Sequence, residues 1–499
     1  MHPQSATSGI VTISRPARAP VAPLHLLVLG VFLLLCLGNQ ILPLIDRDEP
    51  RFAEAAREMF QSGDWILPRF NDLPRYDKPP LIYWMQASCY RVFGETAFAA
   101  RLPAALCIAL CAGLTYSWAA RLCRKTENAS RVGVQAGVMC ALSVQMFVHG
   151  RAAVADPPMI LCFLASAWAG WSWLCHPGWL RCIAFWSLLA LGFLSKGPVA
   201  WLPLGMVLAA LRHPPTGLRP PLLQWGLGAA WMLMLVGLWG IPALVQTRGE
   251  FASIGLGKHV IARSVVSMEG HGARHLGGYL LSLPLYFITI FVSFAPWAWW
   301  LPAALRDLRK KPSPVNLYLM SGAVLVFFVF TLSRTKLPHY TLPAFPLLAI
   351  VLALWWEEAR PQNVWNRTAL GALGLFLLAP LSFASIRRLS VSENLLAELY
   401  PHLSATTQIA LVDYEEPSLV WGLRSRITGF PRKIPPADVG TWLRLRPGDF
   451  CILSEEASLG LAHTERVAAA EGWNFAKGRR LKLVALTFSE KTAPLPDGK

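Results

Sequence analysis

The sequence predicts an all-α polytopic membrane protein with a small α/β domain at its C-terminus. Of the 499 residues, 54% are hydrophobic and only 15% are charged, whereas a soluble protein carries roughly 25% charged residues. The apolar residues also form long blocks, each approaching the roughly 20 residues that a helix needs to cross a bilayer. After about residue 388 the blocks end, and shorter strand-like segments follow them.

The apolar blocks predict about eleven transmembrane helices, in a range that extends to thirteen. The first block, 24–44, is too long for a signal-peptide core and is expected to be retained. Arg15 and Arg18 precede it, and because Lys and Arg accumulate in cytoplasmic loops, the loop 46–96 should emerge outside. The other blocks lie near 97–120, 132–149, 157–175, 180–195, 198–211, 221–246, 280–304, 315–333, 341–357 and 367–386.

Three regions follow from this pattern: a cytoplasmic tail (1–23), a membrane domain (24–387) and a periplasmic α/β domain (388–499). In the last region, segments 408–412, 449–453 and 481–486 predict strands, and 458–472 predicts a helix between two of them. An odd number of spans places this domain on the outer side of the inner membrane.

The formal charge of +17 has an explanation other than nucleic acid, because no basic and aromatic nucleic-acid module is present. Cytoplasmic loops account for part of the positive charge. The predicted outer loops are basic as well, which favours an anionic ligand on that side. These outer cations are Arg51, Lys78, Arg151, Lys196, Arg263, Arg334 and Lys336.

The outer loop 46–96 contains the most concentrated signal. It begins Asp46-Arg47-Asp48-Glu49-Pro50-Arg51, and apolar residues then recur at helical spacing as far as Gly63. This pattern predicts an amphipathic helix along the membrane surface, with interfacial helices continuing through the loop. In one interpretation Asp48 or Glu49 caps the helix. In the other, Asp48 is held at the bilayer edge and faces a reacting group.

A second motif is Arg75-Tyr76-Asp77-Lys78-Pro79-Pro80, in which two prolines fix an extended corner. Lys78 can be a snorkelling residue, although a rigid corner beside Asp77 gives such a side chain little use. Asp156 precedes Pro157 at the start of a span, where a cap and a functional carboxylate are both reasonable.

Three further segments lie on the same predicted side. Lys196 stands between Ser195 and Gly197-Pro198, so its ammonium and nearby N–H groups can meet one anion. The segment Ser333-Arg334-Thr335-Lys336-Leu337-Pro338-His339-Tyr340 ends another span. The loop 247–280 contains His259, His271 and His275, which favours a divalent metal only weakly because the spacing is no metal signature.

Together these motifs resemble the membrane glycosyltransferases of the protein O-mannosyltransferase and 4-amino-4-deoxy-L-arabinose (lipid A) transferase group, in particular its bacterial branch. The matching order is Asp-Glu-x-Arg at 48–51, acidic-Lys-Pro-Pro at 77–80, Asp156, Lys-Gly at 196–197 and Lys-Leu-Pro-x-Tyr at 336–340. One departure is Asp77, where the family often has Glu.

The resemblance implies the GT-C fold, an outward-facing site, a polyprenyl-phosphate sugar donor, and lipid A or another lipopolysaccharide component as acceptor. It makes Asp48, Glu49 and Asp156 the candidate catalytic residues. Asp77 and His271 match positions where the family can place a divalent metal ion such as Zn, Mg or Mn. The candidate residues for the donor phosphate are Arg51, Lys78, Lys196, Arg334, Lys336 and Tyr340.

Physical chemistry agrees with these roles, because preorganised cations stabilise the growing charge of a departing lipid phosphate. Asp48 is then a general base or an orienting group for the acceptor. We expect inversion by single displacement, since no second carboxylate is placed as a nucleophile. A flippase or transporter of an anionic lipid-linked sugar, a protein O-glycosyltransferase and a scaffold protein are the alternatives, and the sequence shows no paired inverted halves of a transporter.

Overall fold

The computed structural model describes residues 21–123, 127–262, 276–310 and 312–489 of the chain. A helical membrane domain comes first, and a smaller domain with its own sheet follows it. The α-helices of the first part are α1 (Val21–Cys36), α2 (Asp48–Ser62), α3 (Leu81–Phe93), α4 (Ala97–Leu122), α5 (Ala129–Ala141), α6 (Val144–Gly150), α7 (Asp156–Cys175), α8 (Trp179–Lys196), α9 (Leu202–Ala210), α10 (Leu222–Gln246), α11 (Leu276–Ser282), α12 (Leu285–Ser293), α13 (Leu301–Lys310), α14 (Pro314–Leu332), α15 (Phe345–Ala359), α16 (Gln362–Leu378) and α17 (Phe383–Leu389).

Among the described residues, seven helical stretches are long and apolar enough to cross a membrane, and two bent helix pairs raise the number to nine. The bent pairs are α5 with α6, at 69°, and Gly277–Ser293 with Trp297–Lys310, at 114°. The sequence predicted more spans because it included the shorter helix α1 and separated the apolar blocks 180–195 and 198–211. In the structure these two blocks lie in one helical stretch, Trp179–Ala210.

That stretch folds back on itself at Gly197. Gly197 has a φ of +75°, a conformation that glycine adopts at little cost. A Cβ atom added to Gly192 would lie 2.8 Å from the Cβ atom of Ala200, whereas eight residues of straight helix span about 12 Å. Helix α9 therefore returns beside α7, and Lys196 stands at the tip of a hairpin.

The first outer loop forms the amphipathic helix that its spacing predicts. Helix α2 ends at Gly63, whose φ is +72°. Its apolar residues are packed inside the protein, since Phe52 is 3% exposed and Met59 is 1% exposed. The capping interpretation is not supported, because neither α2 nor α7 has a side-chain hydrogen bond at its N-cap. A short hairpin of β1 (Arg69–Phe70) and β2 (Leu73–Pro74) leads from α2 to α3.

The C-terminal part is a small α/β domain, as predicted. Its strands have the order β4-β3-β5-β7-β6, with β3 parallel to both β4 and β5, and with β7 antiparallel to β5 and β6. The elements are α18 (Val391–Leu399), β3 (Ile409–Leu411), α19 (Pro417–Arg424), β4 (Arg432–Lys433), α20 (Val439–Arg444), β5 (Phe450–Ser454), α21 (Glu455–Ser458), β6 (Thr464–Asn474) and β7 (Arg479–Phe488).

The helix predicted over 458–472 is wrong. Helix α21 ends at Ser458, and most of the predicted helix is strand β6. The run Ala468-Ala469-Ala470 has a high intrinsic helix propensity, but its backbone pairs with β7 in a long antiparallel ladder. This tertiary pairing outweighs the local preference. The three predicted strands are confirmed as β3, β5 and β7.

Candidate active site

A cavity of about 320 Å³ opens between the corner at Asp77-Lys78, the start of α7, the tip of the α8–α9 hairpin and the segment after α14. Most of its polar lining comes from four sequence motifs that the resemblance had singled out, those at 77–80, 156, 196–197 and 336–340. The apolar lining comes mainly from α8, α10 and the π-helical segment Phe251–Ala262. The polar residues are Tyr76, Asp77, Lys78, Asp156, Lys196, Ser333, Thr335 and Tyr340.

Lys196 and Asp156 form one ion pair of this cavity. The Lys196 ammonium donates to Asp156 Oδ1 at 2.5 Å, and the two side chains are 15% and 9% exposed. Helix α8 runs back along α7 after a short loop, so Lys196 at its end lies at the beginning of α7, where Asp156 is the first residue. An ammonium has three donors, so this bond leaves Lys196 with N–H groups for an anion.

Lys78 and Asp77 form the second ion pair, at a distance of 2.6 Å. The other Asp77 oxygen accepts a hydrogen bond from Arg75 at 3.1 Å, and Arg75 donates to the hydroxyl of Tyr83 at 2.9 Å. Burial raises the pKa of Tyr83 to about 12, and the nearby charges of Asp77 and Asp48 act in the same direction. The corner that carries Lys78 is therefore fixed by a network rather than by the prolines alone.

Tyr340 closes the polar end of the cavity. Its ring lies 5.4 Å from the Lys196 ammonium and 4.9 Å from the ring of Phe330. Beyond this end the walls are apolar, with Met159, Phe193, Val236, Trp239 and Leu244 among the lining residues. The cavity thus joins a polar end, which contains two lysine–aspartate ion pairs, to an apolar body.

Asp48 and Arg51 lie outside this lining. Asp48 is exposed at the first turn of α2, near enough to Arg75 for its charge to raise the pKa of that side chain, against the lowering effect of burial. Arg51 is half-buried, and its positive charge acts on Asp46. Both residues belong to the loop above the cavity rather than to its walls.

Glu49 is buried in a structural network. Arg101 binds it through two hydrogen bonds of 2.8 Å, and Glu49 also accepts the N–H groups of Ile45 and Ala153 at 2.9 Å. Arg101 is 0% exposed and donates further to the carbonyls of residues 39, 42 and 43. This arrangement gives Glu49 the geometry of an anchor, whereas the sequence grouped it with the catalytic candidates.

Lys336 and Arg334 also point away from the cavity. The Lys336 ammonium donates to the carbonyls of Phe330, Thr331 and Ser333 at the end of α14. Arg334 lies 5.7 Å from the ring of Tyr279. Neither residue is part of the lining, so any effect on a bound phosphate acts through the backbone or at long range.

The proposed metal ligands do not meet within the described residues. His271 lies outside them. No three His, Cys, Asp or Glu side chains gather as a ligand cluster in the ranges that the structure covers, and both oxygens of Asp77 are engaged by cationic side chains. The divalent metal ion stays a prediction, and no chemical step here depends on it.

Sequence reasoning missed several residues at the cavity. Tyr76 was quoted within its motif, but no role was given to it; its hydroxyl donates to Glu250 at 2.7 Å. Trp239 donates to the carbonyl of Ile66 at 3.0 Å and holds α10 against the first loop. Phe251 packs edge-on against Tyr76 and Trp239. The sequence did not single out these aromatic residues as parts of a site, because aromatic residues make up 11% of the chain.

The chain is similar to several known proteins. The profile of the dolichyl-phosphate-mannose-protein mannosyltransferase family matches residues 77–240. An undecaprenyl phosphate-α-4-amino-4-deoxy-L-arabinose arabinosyl transferase of Pseudomonas aeruginosa (strain LESB58) is 30% identical over 391 residues, which cover 74% of this chain and 67% of that protein. Its counterpart in Aeromonas salmonicida (strain A449) is 26% identical over 459 residues, covering 86% of this chain and 80% of the relative.

The fold has solved counterparts. ArnT of Cupriavidus metallidurans bound to undecaprenyl phosphate superposes with a TM-score of 0.76 at 20% identity, covering 96% of this chain and all of that one. The apo form of the same protein gives a TM-score of 0.70 at 21% identity, with 95% and 99% covered.

These findings define a membrane glycosyltransferase. The chain belongs to the family of undecaprenyl phosphate-α-4-amino-4-deoxy-L-arabinose arabinosyl transferases.

Proposed function

We propose that this protein transfers 4-amino-4-deoxy-L-arabinose from undecaprenyl phosphate to lipid A at the periplasmic face of the bacterial inner membrane. The observation that carries the proposal is the cavity with two lysines at one end and apolar walls beyond them. A polyprenyl phosphate has the complementary form, with an anionic head and a hydrocarbon chain. The names of the relatives supply the sugar and the lipid carrier.

The lysines act on the leaving group. As the bond between the anomeric carbon and the phosphate oxygen breaks, negative charge grows on the lipid phosphate. Lys78 and Lys196 are held in place by Asp77 and Asp156 before the reaction, so they stabilise that charge without reorganising. Tyr340 lies beside Lys196 and orients the same phosphate. Arg51, in the first outer loop, is assigned to the same phosphate by the resemblance.

Asp48 is assigned to the acceptor, and Asp156 is assigned to the sugar donor. Asp48 is exposed at the start of α2, where an acceptor can reach it from outside. It takes the proton of an acceptor hydroxyl, or it orients an acceptor phosphate, which needs no strong base. Asp156 lies in the cavity lining and positions Lys196 toward the donor. One displacement then inverts the anomeric carbon.

The topology supports an outward-facing site. The described helices cross the bilayer eleven times if α8 and α9 each cross it, each bent pair crosses it once, and α1 crosses it as well. The cavity residues Asp156 and Lys196 then share one face with loop 46–96. Arg131, which pairs with Glu357, lies at the opposite end with Arg309 and Lys310. Cytoplasmic loops are enriched in such residues.

Lipid mass spectrometry tests the proposal. Purified protein in vesicles with the sugar-loaded undecaprenyl phosphate and lipid A should yield lipid A heavier by one sugar residue, together with free undecaprenyl phosphate in equal amount. Movement of intact donor across the membrane without release of the lipid phosphate would instead indicate a flippase. Sugar attached to protein rather than to lipid A would indicate a protein O-glycosyltransferase.

A further inference from the structure

The helix that carries Asp48 is fastened to the C-terminal domain just before its first turn. Asp46 accepts the backbone N–H of Ser418 at 2.8 Å, and it also accepts the Ser418 hydroxyl. The next residue, Arg47, pairs with Glu416 at 3.0 Å. Ser418 lies in the first turn of α19, so a carboxylate meets the positive end of a helix dipole there.

Further contacts join α2 to α19. In the middle, the Arg57 guanidinium lies 3.4 Å from the centre of the Trp421 ring and donates to the Trp421 carbonyl at 3.0 Å. At the end of α19, Arg424 pairs with Glu54 at 3.3 Å and donates to Gln61, near the end of α2, at 2.9 Å. The segment 46–61 is therefore joined to α19 just before α2, in its middle and near its end.

This interface is buried, which makes its geometry specific. Glu54 is 0% exposed, Arg57 is 1% exposed and Arg424 is 8% exposed. A buried charge that loses its partner costs several kcal/mol, so the two helices have little freedom to slide. Surface ion pairs would permit such sliding, because they contribute little.

We infer that the C-terminal domain positions Asp48 for the transfer reaction, with Ser418 as the positioning residue that holds the start of α2 through Asp46. The inference rests on the proposed function, in which Asp48 meets the acceptor. Asp46 is two residues before Asp48. Among the described residues, Ser418 alone donates hydrogen bonds to the Asp46 carboxylate. The periplasmic domain is then part of the catalytic assembly rather than an appended module.

The chain offers a matched control. Inside the C-terminal domain, Asp413 accepts the N–H of Ser454 at 2.8 Å together with the Ser454 hydroxyl. This pair repeats the two hydrogen bonds between Asp46 and Ser418. It too lies at the start of a short helix, because Ser454 immediately precedes α21. It does not touch loop 46–96. Ser454→Ala thus removes the same kind of hydrogen bond without affecting α2.

Hydrogen–deuterium exchange of the full-length protein in detergent tests the structural half of the inference. Ser418→Ala should speed exchange of the amides in residues 46–62, while Ser454→Ala should leave them at the wild-type rate. Unchanged exchange of residues 46–62 in Ser418→Ala overturns the inference. This readout does not depend on any assumption about the reaction.

Kinetics test the functional half. In Ser418→Ala, turnover should fall roughly tenfold, the size expected for one hydrogen bond to a charged group, with undecaprenyl phosphate binding unchanged. Ser418→Thr, which keeps the hydroxyl, should recover turnover. Equal turnover in Ser418→Ala and Ser454→Ala, or a parallel loss of undecaprenyl phosphate binding, contradicts a positioning role. A wild-type protein without transferase activity would refute the proposed function and leave the exchange result standing.

Discussion

The ammonium of Lys196 lies 2.5 Å from a carboxylate oxygen of Asp156, although 40 positions separate the two residues. The antiparallel packing of α7 and α8, joined by a short loop, makes this contact possible, because it places the end of α8 beside the start of α7. A lysine held by a carboxylate at the head of an apolar cavity is suited to receive a lipid phosphate.

Replacing Lys196 should therefore impair the chemical step. We expect Lys196→Ala to lower turnover about 100-fold, the size typical of losing one preorganised group that stabilises transition-state charge. Lys310 is exposed at the other end of the membrane domain, and Lys310→Ala serves as the control with wild-type turnover. Wild-type turnover in Lys196→Ala, measured as release of undecaprenyl phosphate, would remove Lys196 from the site.

Asp77 should act by holding Lys78. Asp77→Asn weakens the ion pairs to Lys78 and Arg75, so we expect undecaprenyl phosphate to bind several-fold more weakly, with or without a chelator. Binding is measured by thermal shift of the purified protein. A chelator effect that is present in the wild-type protein and absent in Asp77→Asn would instead reveal a divalent metal ion at Asp77.

Glu49 should be needed for folding rather than for chemistry. Glu49→Gln leaves the guanidinium of Arg101 buried without its counter-charge, which costs about 3–5 kcal/mol when a buried pair is broken. We expect a lower unfolding temperature and less protein in the membrane. An inactive Glu49→Gln protein with wild-type stability would contradict this and favour a catalytic role.

The folded protein should become more stable as the pH falls, because two carboxyls near the interface between α2 and α19 have raised pKa values. Burial raises the pKa of Asp46 to about 7, and burial raises the pKa of Glu54 to about 7 as well. Asp46 faces Ser418, Glu416 and Arg51, and the charges near Glu54 are those of Arg57, Glu58 and Arg424. Ordinary carboxyls titrate near pH 4, so the folded protein binds these protons more tightly than the unfolded chain.

The stability from these protons is present at low pH and is lost as the pH rises from about 4 through about 7. The wild-type protein should then unfold at a higher temperature near pH 6 than near pH 8, and Asp46→Asn should reduce that difference. The same dependence in Asp46→Asn as in the wild-type protein would show that Asp46 has no part in it.

The sequence predicted most of the membrane domain and the order of the site motifs, because apolar block length and local Pro and Gly residues determine them. Strand β6 was not predictable from its alanines, since pairing with β7 decides its conformation. The anchoring of Glu49 was missed because Arg101 is 52 positions away. The burial of α2 was not predicted, because its amphipathic pattern also fits a membrane surface. Its apolar face packs against α3 and α4, and its charged residues meet α19 from the other end of the chain.

The most direct test of the central claim compares wild-type protein with Lys196→Ala in vesicles that contain sugar-loaded undecaprenyl phosphate and lipid A. The wild-type protein should produce lipid A with one added sugar and an equal amount of free undecaprenyl phosphate, and Lys196→Ala should produce almost none of either. Intact donor that crosses the membrane, with no lipid phosphate released by the wild-type protein, would contradict the account.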